Sequence, residues 1–397
     1  MKHFIVFIFI CTMFMATYQN SKRQILMDIV ESSLNLAVKQ YTAMDQVLPD
    51  SLFPRTMAED GSLVTNESRW WTSGFFPGSL WYLYEYTRDP SLKERAVART
   101  CDMEKEKDDI WGHDVGFKMY CSFGNGLRLT SDTSYIPVLI TAANSLISRF
   151  NPKVGCIRSW GDRDDEADYL VIVDNMMNLE LLFWATRQTG DSTYLNIAVT
   201  HSDNTLANHY RPDGSSYHVL RYDQKTGKVT AKQTAQGYSD ESAWARGQAW
   251  GLYGFVMAFR ETGYQRYLDH AQKIAGFILN HPNLSADKIP YWDFDAPDIP
   301  NALRDASAAA IIASALLELS HFSNPDLSSV YKNSAEDIIH SLSMNPYRAQ
   351  KGENANFLLK HCVGNMPFGS EVDVPLSYAD YYYLEAMMRY RKMVNPD

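Results

Sequence analysis

The chain has 397 residues, 45% of them hydrophobic and 21% charged, with a formal net charge of −10. That composition is globular and excludes disordered, collagen-like and disulfide-scaffold chains, while the acidic balance excludes a general nucleic-acid or membrane-surface binder. The 9 Trp, 24 Tyr and 18 Phe make 13% of the chain, more rings than a core ordinarily needs, and rings are the usual surface for stacking sugars or bases.

At the N-terminus, Lys2 precedes a run over residues 4–16 that is apolar except for Thr12. It is too short to span a bilayer and reads as a secretory signal ending near residue 20. Lipidation at Cys11 fits less well, because Ile10 stands where a small residue belongs. The remainder, 21–397, reads as one exported, periplasmic catalytic domain, since no Pro-, Gly- or Ser-rich linker divides it. Cys101, Cys121, Cys156 and Cys362 form no C-x-x-C pair and have no His at ligand spacing. They read as isolated buried thiols, with one disulfide as the alternative.

Further along, a helix is expected over residues 25–41. The segment R-W-W-T-S-G-F-F-P-G at 69–78 is dense in rings and turn formers and reads as a loop. Then a pattern recurs: T-R-D-P-S-L near 87, T-S-D-T-S-Y near 130, T-G-D-S-T-Y near 189, T-G-Y-Q-R-Y near 262 and a looser N-P-D-L-S-S near 326. Each copy follows an apolar helical run. The physical reading is a helical hairpin: an inner helix ends at Thr-Gly or a relative, and Asp or Ser caps the outer helix. With a last helix over 378–393 this makes about twelve helices, enough to close into an all-α (α/α)6 barrel. The uneven repeat interval disfavours an open solenoid, whose periods are regular.

Three segments interrupt the apolar inner helices. In G-H-D-V-G-F, Asp114 lies between Trp111 and Phe117. In L-V-I-V-D-N-M-M-N-L, Asp174 sits in an apolar stretch, where burial raises a carboxyl pKa as a general acid requires; capping of the following helix is the structural alternative. In W-A-R-G-Q-A-W, Arg246 offers a fork for a carboxylate and Trp250 a stacking face. A β-hairpin is expected over 216–232, with His218 a possible polar contact, and 283–302 reads as a loop. There is no phosphate-binding glycine loop, no metal-ligand spacing and no nucleophile elbow, so neither metal nor cofactor is expected. An exported toroid with a ring-lined cleft and two carboxylates points to carbohydrate chemistry.

At W-W-T-S-G-F-F-P-G-S-L-W, H-D-V-G-F, D-N-M-M-N-L, W-A-R-G-Q-A-W-G-L-Y-G, R-D-A-S-A-A-A-I and Y-A-D-Y-Y-Y-L-E-A, the sequence resembles the unsaturated glucuronyl hydrolases of glycoside hydrolase family 88. The resemblance runs from Trp70 to Ala386. It implies the (α/α)6 barrel and, as substrates, oligosaccharides left by polysaccharide lyases, with a C4=C5 double bond in the terminal uronic acid. It implies hydration of that vinyl ether, with Asp174 protonating C4 and then activating water for C5, and Asp114 assisting. It places Trp71, Trp160, His218, Gln236, Arg246 and Trp250 around the unsaturated ring. No lysine occurs from 364 to 377, so a sulfate grip there is not expected, although glycosaminoglycan fragments remain the preferred substrates. Unsaturated pectin fragments, or a non-catalytic sugar-binding toroid, are the alternatives. A monomer or weak homo-oligomer is expected, with no nucleic-acid partner and no membrane partner after signal removal.

Overall fold

The computed structural model describes residues 2–162, 164–165 and 168–395, with side chains from residue 22 onward. Its helices are α1 (Lys2–Val47), α2 (Phe75–Thr87), α3 (Pro90–Cys101), α4 (Val115–Met119), α5 (Asn125–Thr130), α6 (Tyr135–Ile147), α7 (Glu180–Thr189), α8 (Ser192–Asn208), α9 (Ala245–Thr262), α10 (Gln265–Asn280), α11 (Ala306–Phe322), α12 (Pro325–Leu342) and α13 (Ser377–Val394). A π-helical turn, Tyr120–Gly124, joins α4 to α5 into one rod, and a 3-10 stretch, Val173–Leu179, leads into α7. The first strands form two antiparallel pairs, β1 (Leu52–Met57) with β2 (Leu63–Glu67) and β3 (Phe150–Asn151) with β4 (Cys156–Ile157).

The inner members close a ring. The 115–130 rod packs on α2 at one side and on the 3-10 stretch at the other; that stretch meets α9, α9 meets α11, α11 meets α13, and α13 returns to α2. An outer helix backs each one, with α1 against α13. This is the (α/α)6 barrel. The inner helix α11 is buried nearly all round, and its many alanines allow close approach to both neighbours. The outer helix α10 buries Tyr267, Leu268, Ala271, Ile274, Ala275 and Ile278, a single stripe at helical spacing.

The repeat has a chemical basis at the hairpin turns. Thr87, Thr130, Thr189 and Thr262 each end an inner helix and donate their hydroxyl to the carbonyl four residues back, at 2.7–2.8 Å. Each hydroxyl also accepts the amide two residues on. Asp89 and Asp191 then cap the outer helices by accepting from Ser91 and Thr193. Gly190 and Gly263 take the left-handed turn at φ 75° and 67°, and Arg88 and Ser131 take it without glycine.

Several expectations need correction. The first helix extends well beyond residues 25–41, to Lys2–Val47; the side chains of its first twenty residues, and the export-signal reading with them, lie outside the described residues. Residues 75–78 are the first turn of α2, where Pro77 is tolerated because an amide there needs no intrahelical partner. Residues 170–182 are not one helix: β5 (Leu170–Ile172) pairs with β6 (Val219–Tyr222), which pairs with β7 (Val229–Gln233), so the expected hairpin gains a third strand. The 364–377 segment contains most of a further hairpin, β8 (Cys362–Asn365) with β9 (Ser370–Val374). Cys121, Cys156 and Cys362 are buried and Cys101 is exposed; the four are free thiols. Among the described residues no helix is long and apolar enough to cross a membrane.

The short turns between paired helices all lie at one end of the barrel. The long connections, 48–74, 102–114, 148–172, 209–244, 281–305 and 343–376, four of which carry the strands, lie at the other.

Candidate active site

The loop-bearing end holds a cavity of about 510 Å³ whose lining includes Trp71, Trp160, Asp114, Trp111 and Lys118. Two glycines of the ring-rich motifs bring its walls together. A Cβ on Gly74 would fall 2.3 Å from the Lys118 carbonyl oxygen, and one on Gly116 would fall 2.6 Å from Asn178 Oδ1. The second approach lets Asn178 Oδ1 accept the Phe117 amide at 2.7 Å. That bond clamps α4, which begins after Asp114, to the 3-10 stretch that carries Asp174.

The connection bearing Trp160 ties both carboxylate segments together. The Ser159 carbonyl accepts the His113 amide at 3.0 Å, and the Ser159 hydroxyl accepts the Ile172 amide at 2.9 Å. Asn175 donates to the Ile157 carbonyl at 2.8 Å. Asp114 and Asp174 are thus held by one hydrogen-bonded frame, although sixty residues separate them in the chain.

Asp174 lies in the first turn of the 3-10 stretch and makes no capping bond, so the capping alternative is not what the structure shows. It is 9% exposed, and its Oδ2 has no hydrogen-bond partner. Burial pushes its pKa up to about 7; the Arg246 charge opposes the shift and the Asp114 charge adds to it. The group is therefore a carboxylic acid that gains and loses its proton near neutrality, with one oxygen free. Asp114 keeps a partly exposed side chain, with Oδ1 3.4 Å from His113 Nε2, and makes no capping bond either. Burial lowers the His113 pKa, keeping the ring neutral.

His218 has a defined tautomer. Its Nδ1 accepts the amides of Ala235 and Gln236 at 3.1 and 3.3 Å, so the proton belongs on Nε2. That Nε2 lies 3.7 Å from Asp174 Oδ2. Burial holds the His218 pKa well below its ordinary value, so it acts as a neutral donor. Its ring lies 4.3 Å from Trp244, tilted by 34°, and 6.1 Å from Trp160, edge-on.

Arg246 departs from expectation. Its fork is not open to a carboxylate: Nη1 donates to the Val363 carbonyl and approaches Asp305 at 3.4 Å, while Nη2 donates to the Gly364 carbonyl at 2.5 Å and approaches Gln236 Oε1 at 3.4 Å. Only Nε is without a partner. The guanidinium, packed on the Trp244 ring at 4.5 Å, docks the β8–β9 hairpin onto the site and lends Asp174 a nearby positive charge. Trp250 is also corrected: it is fully buried, wedged against Phe117 and Tyr382, and presents no open stacking face. Its indole N–H has no geometric partner and tempers the Asp174 shift as a nearby donor. Trp71 packs on Tyr378 at 5.0 Å and keeps one side on the cavity.

Sequence reasoning missed Asp305, Trp244 and Tyr378. Asp305 is fully buried, caps α11 through Ser307 and accepts the Val363 amide. The motif R-D-A-S-A-A-A-I carried that signal, because an aspartate directly before an apolar helix, followed by Ser two residues on, is a capping pattern.

A buried acid, a neutral imidazole donor and half-buried indoles at the mouth of an (α/α)6 barrel define a glycoside-processing hydrolase. Residues 49–393 match Glycosyl Hydrolase Family 88, and the chain belongs to that family. An unsaturated glucuronyl hydrolase of Formosa agariphila is 45% identical over 86% of this chain and 85% of its own. An unsaturated chondroitin disaccharide hydrolase of Streptococcus agalactiae is 33% identical over 91% and 92%. Among solved structures, an unsaturated glucuronyl hydrolase specific for heparin superposes with a TM-score of 0.90 at 46% identity, covering 93% of this chain and 99% of that one. A variant of the Streptococcus agalactiae enzyme complexed with dGlcA-GalNAc6S superposes with a TM-score of 0.79 at 30% identity, covering 92% of each chain.

Proposed function

We propose that this enzyme removes the terminal 4,5-unsaturated uronic acid from lyase-generated oligosaccharides, with glycosaminoglycan fragments as its natural class. The observation that carries the reading is the Asp174 carboxyl: buried, with a pKa near 7 and one unpartnered oxygen facing a donor histidine. Relatives named for heparin and chondroitin fragments support the substrate class.

In the proposed reaction Asp174 gives its proton to C4 of the vinyl ether, and positive charge develops at C5 and the ring oxygen. The carboxylate so formed takes a proton from water as the water oxygen bonds to C5, which restores the acid. The C5 hemiketal opens and the remaining sugar leaves from C1. One water is consumed and no covalent enzyme intermediate forms, so a paired nucleophile and acid at the anomeric carbon is not required. Asp114 holds sugar hydroxyls and, through its charge, keeps the Asp174 proton in place. His218 Nε2–H and Gln236 orient the uronate, and Trp71 and Trp160 flank the ring. Arg246 supplies positive potential through the shell it organises rather than through a direct fork.

The apolar run over residues 4–16 supports export to the periplasm. The test is a panel of unsaturated disaccharides from chondroitin, heparin and rhamnogalacturonan lyases, followed by loss of C4=C5 absorbance. Turnover is expected on the glycosaminoglycan products. Turnover confined to the rhamnogalacturonan product, or saturable binding without turnover, would overturn the assignment.

A further inference from the structure

Trp111 is 71% exposed, an unusual position for an indole that the fold does not need. It is nevertheless held firmly. Its amide donates to Asp109 Oδ1 at 2.8 Å, and Asp109 is in turn paired with the buried ammonium of Lys118. The preceding carbonyl, Ile110, accepts from Nη1 of Arg149, a buried guanidinium whose Nη2 donates to the Gly161 carbonyl at 3.0 Å. One arginine therefore fixes the residue before Trp111 and the residue after Trp160. The two indoles are fixed at the mouth of the same cavity, whose wall also contains Asp114, three residues beyond Trp111. Trp160 lies inward, edge-on to His218, while Trp111 stands outward on the rim.

We propose that Trp111 is a specificity-determining residue: the platform on which the sugar next to the unsaturated uronic acid stacks. This rests on the functional reading above, which puts the unsaturated ring between Trp71, Trp160 and Asp174 and leaves the leaving sugar pointing out of the mouth. A rigid, solvent-facing indole beside that exit presents a flat apolar face to the C–H side of a hexose. Its ordering cost is paid before substrate arrives, because Asp109 and Arg149 already fix its backbone. On the same wall Glu106, Asp108, Asp109 and Asp114 outnumber Arg69, Lys105 and Lys118, and the Lys118 ammonium is already shared between Glu106 and Asp109. The rim therefore carries no excess of positive charge, and the recognition it offers is stacking of the sugar face rather than capture of a sulfate.

The test compares Trp111→Ala and Trp111→Phe with the wild-type enzyme on two substrates: an unsaturated disaccharide and the methyl glycoside of the same unsaturated uronic acid, which has no second ring. For Trp111→Ala, KM for the disaccharide is expected to rise about tenfold with kcat within a factor of about two, since a lost stacking contact of this kind weakens ground and transition states alike. Turnover of the methyl glycoside is expected to stay at the wild-type value, and Trp111→Phe is expected to recover most of the disaccharide KM. Equal losses on both substrates, or no change on either, would overturn the proposal. Failure of the wild-type enzyme on both substrates would instead contradict the functional reading on which it rests.

Discussion

Two buried carboxyls among the described residues have pKa values pushed up to about 7, and only one of them keeps an oxygen without a hydrogen-bond partner. Asp174 lies at the loop-bearing end with Oδ2 unpartnered. Asp380, in α13, accepts the Leu358 amide and the Tyr41 hydroxyl on Oδ2, at 2.8 and 3.1 Å, and the Leu359 amide on Oδ1 at 2.9 Å. Burial raises both, so a raised pKa by itself does not mark chemistry. What separates them is satisfaction: Asp380 ties α1, α13 and the 357–359 segment together where the ring closes, and Asp174 keeps an oxygen for something that is not protein. A cavity of about 430 Å³ at the opposite end of the barrel makes the same point, because Glu85, Glu180 and Glu385 on its wall are each paired with arginine or lysine.

The comparison can be broken by mutation. Asp174→Asn is expected to lower turnover by about a thousandfold or more, the upper range for loss of a general acid, with substrate binding retained. Equal turnover in that variant would remove Asp174 from the mechanism. Asp380→Asn should do the reverse. It replaces an acceptor oxygen with an amide that cannot take the Leu358 or Leu359 N–H, so unfolding free energy should drop by about 1–3 kcal/mol in denaturant melts while turnover per folded molecule holds. Gly116→Ala should cost a similar roughly 1–3 kcal/mol by overpacking against Asn178, and should also slow turnover by separating the two carboxylate segments. Trp250→Phe, which removes a donor near Asp174, should raise that carboxyl's pKa and shift the alkaline limb of turnover upward by a fraction of a pH unit.

Stability should respond to pH in a defined direction. Both carboxyls have folded pKa values above those of the unfolded chain, so the folded state binds more protons between about pH 4 and 7. Stability from these groups is therefore lost as pH rises through that window, and the full cost is present above about pH 7. Asp174→Asn escapes its share and should be more stable than the wild-type protein at pH 8, by thermal melting.

The barrel was legible because its hairpin turns are chemical repeats: threonine, a left-handed residue and a capping aspartate are local and leave a mark in sequence. The pair Asp114 and Asp174 was legible because charge in an apolar run is anomalous wherever it occurs. The role of Arg246 was not, since its partners are backbone carbonyls of Val363 and Gly364, more than a hundred residues away, and a carbonyl has no sequence signature. Trp250 misled for a related reason: composition counts rings but does not say which faces the packing leaves open. The strand β5 was hidden in an apolar run that periodicity cannot assign to helix or strand.

The most direct test of the central claim is the pH profile of C4=C5 bleaching in an unsaturated glycosaminoglycan disaccharide, measured side by side for the wild-type enzyme, Asp174→Asn and Asp380→Asn. The wild-type rate should fall as pH rises through about 7, Asp380→Asn should keep that limb, and Asp174→Asn should be flat and near zero. A limb that disappears with Asp380 and survives the loss of Asp174 would contradict the account.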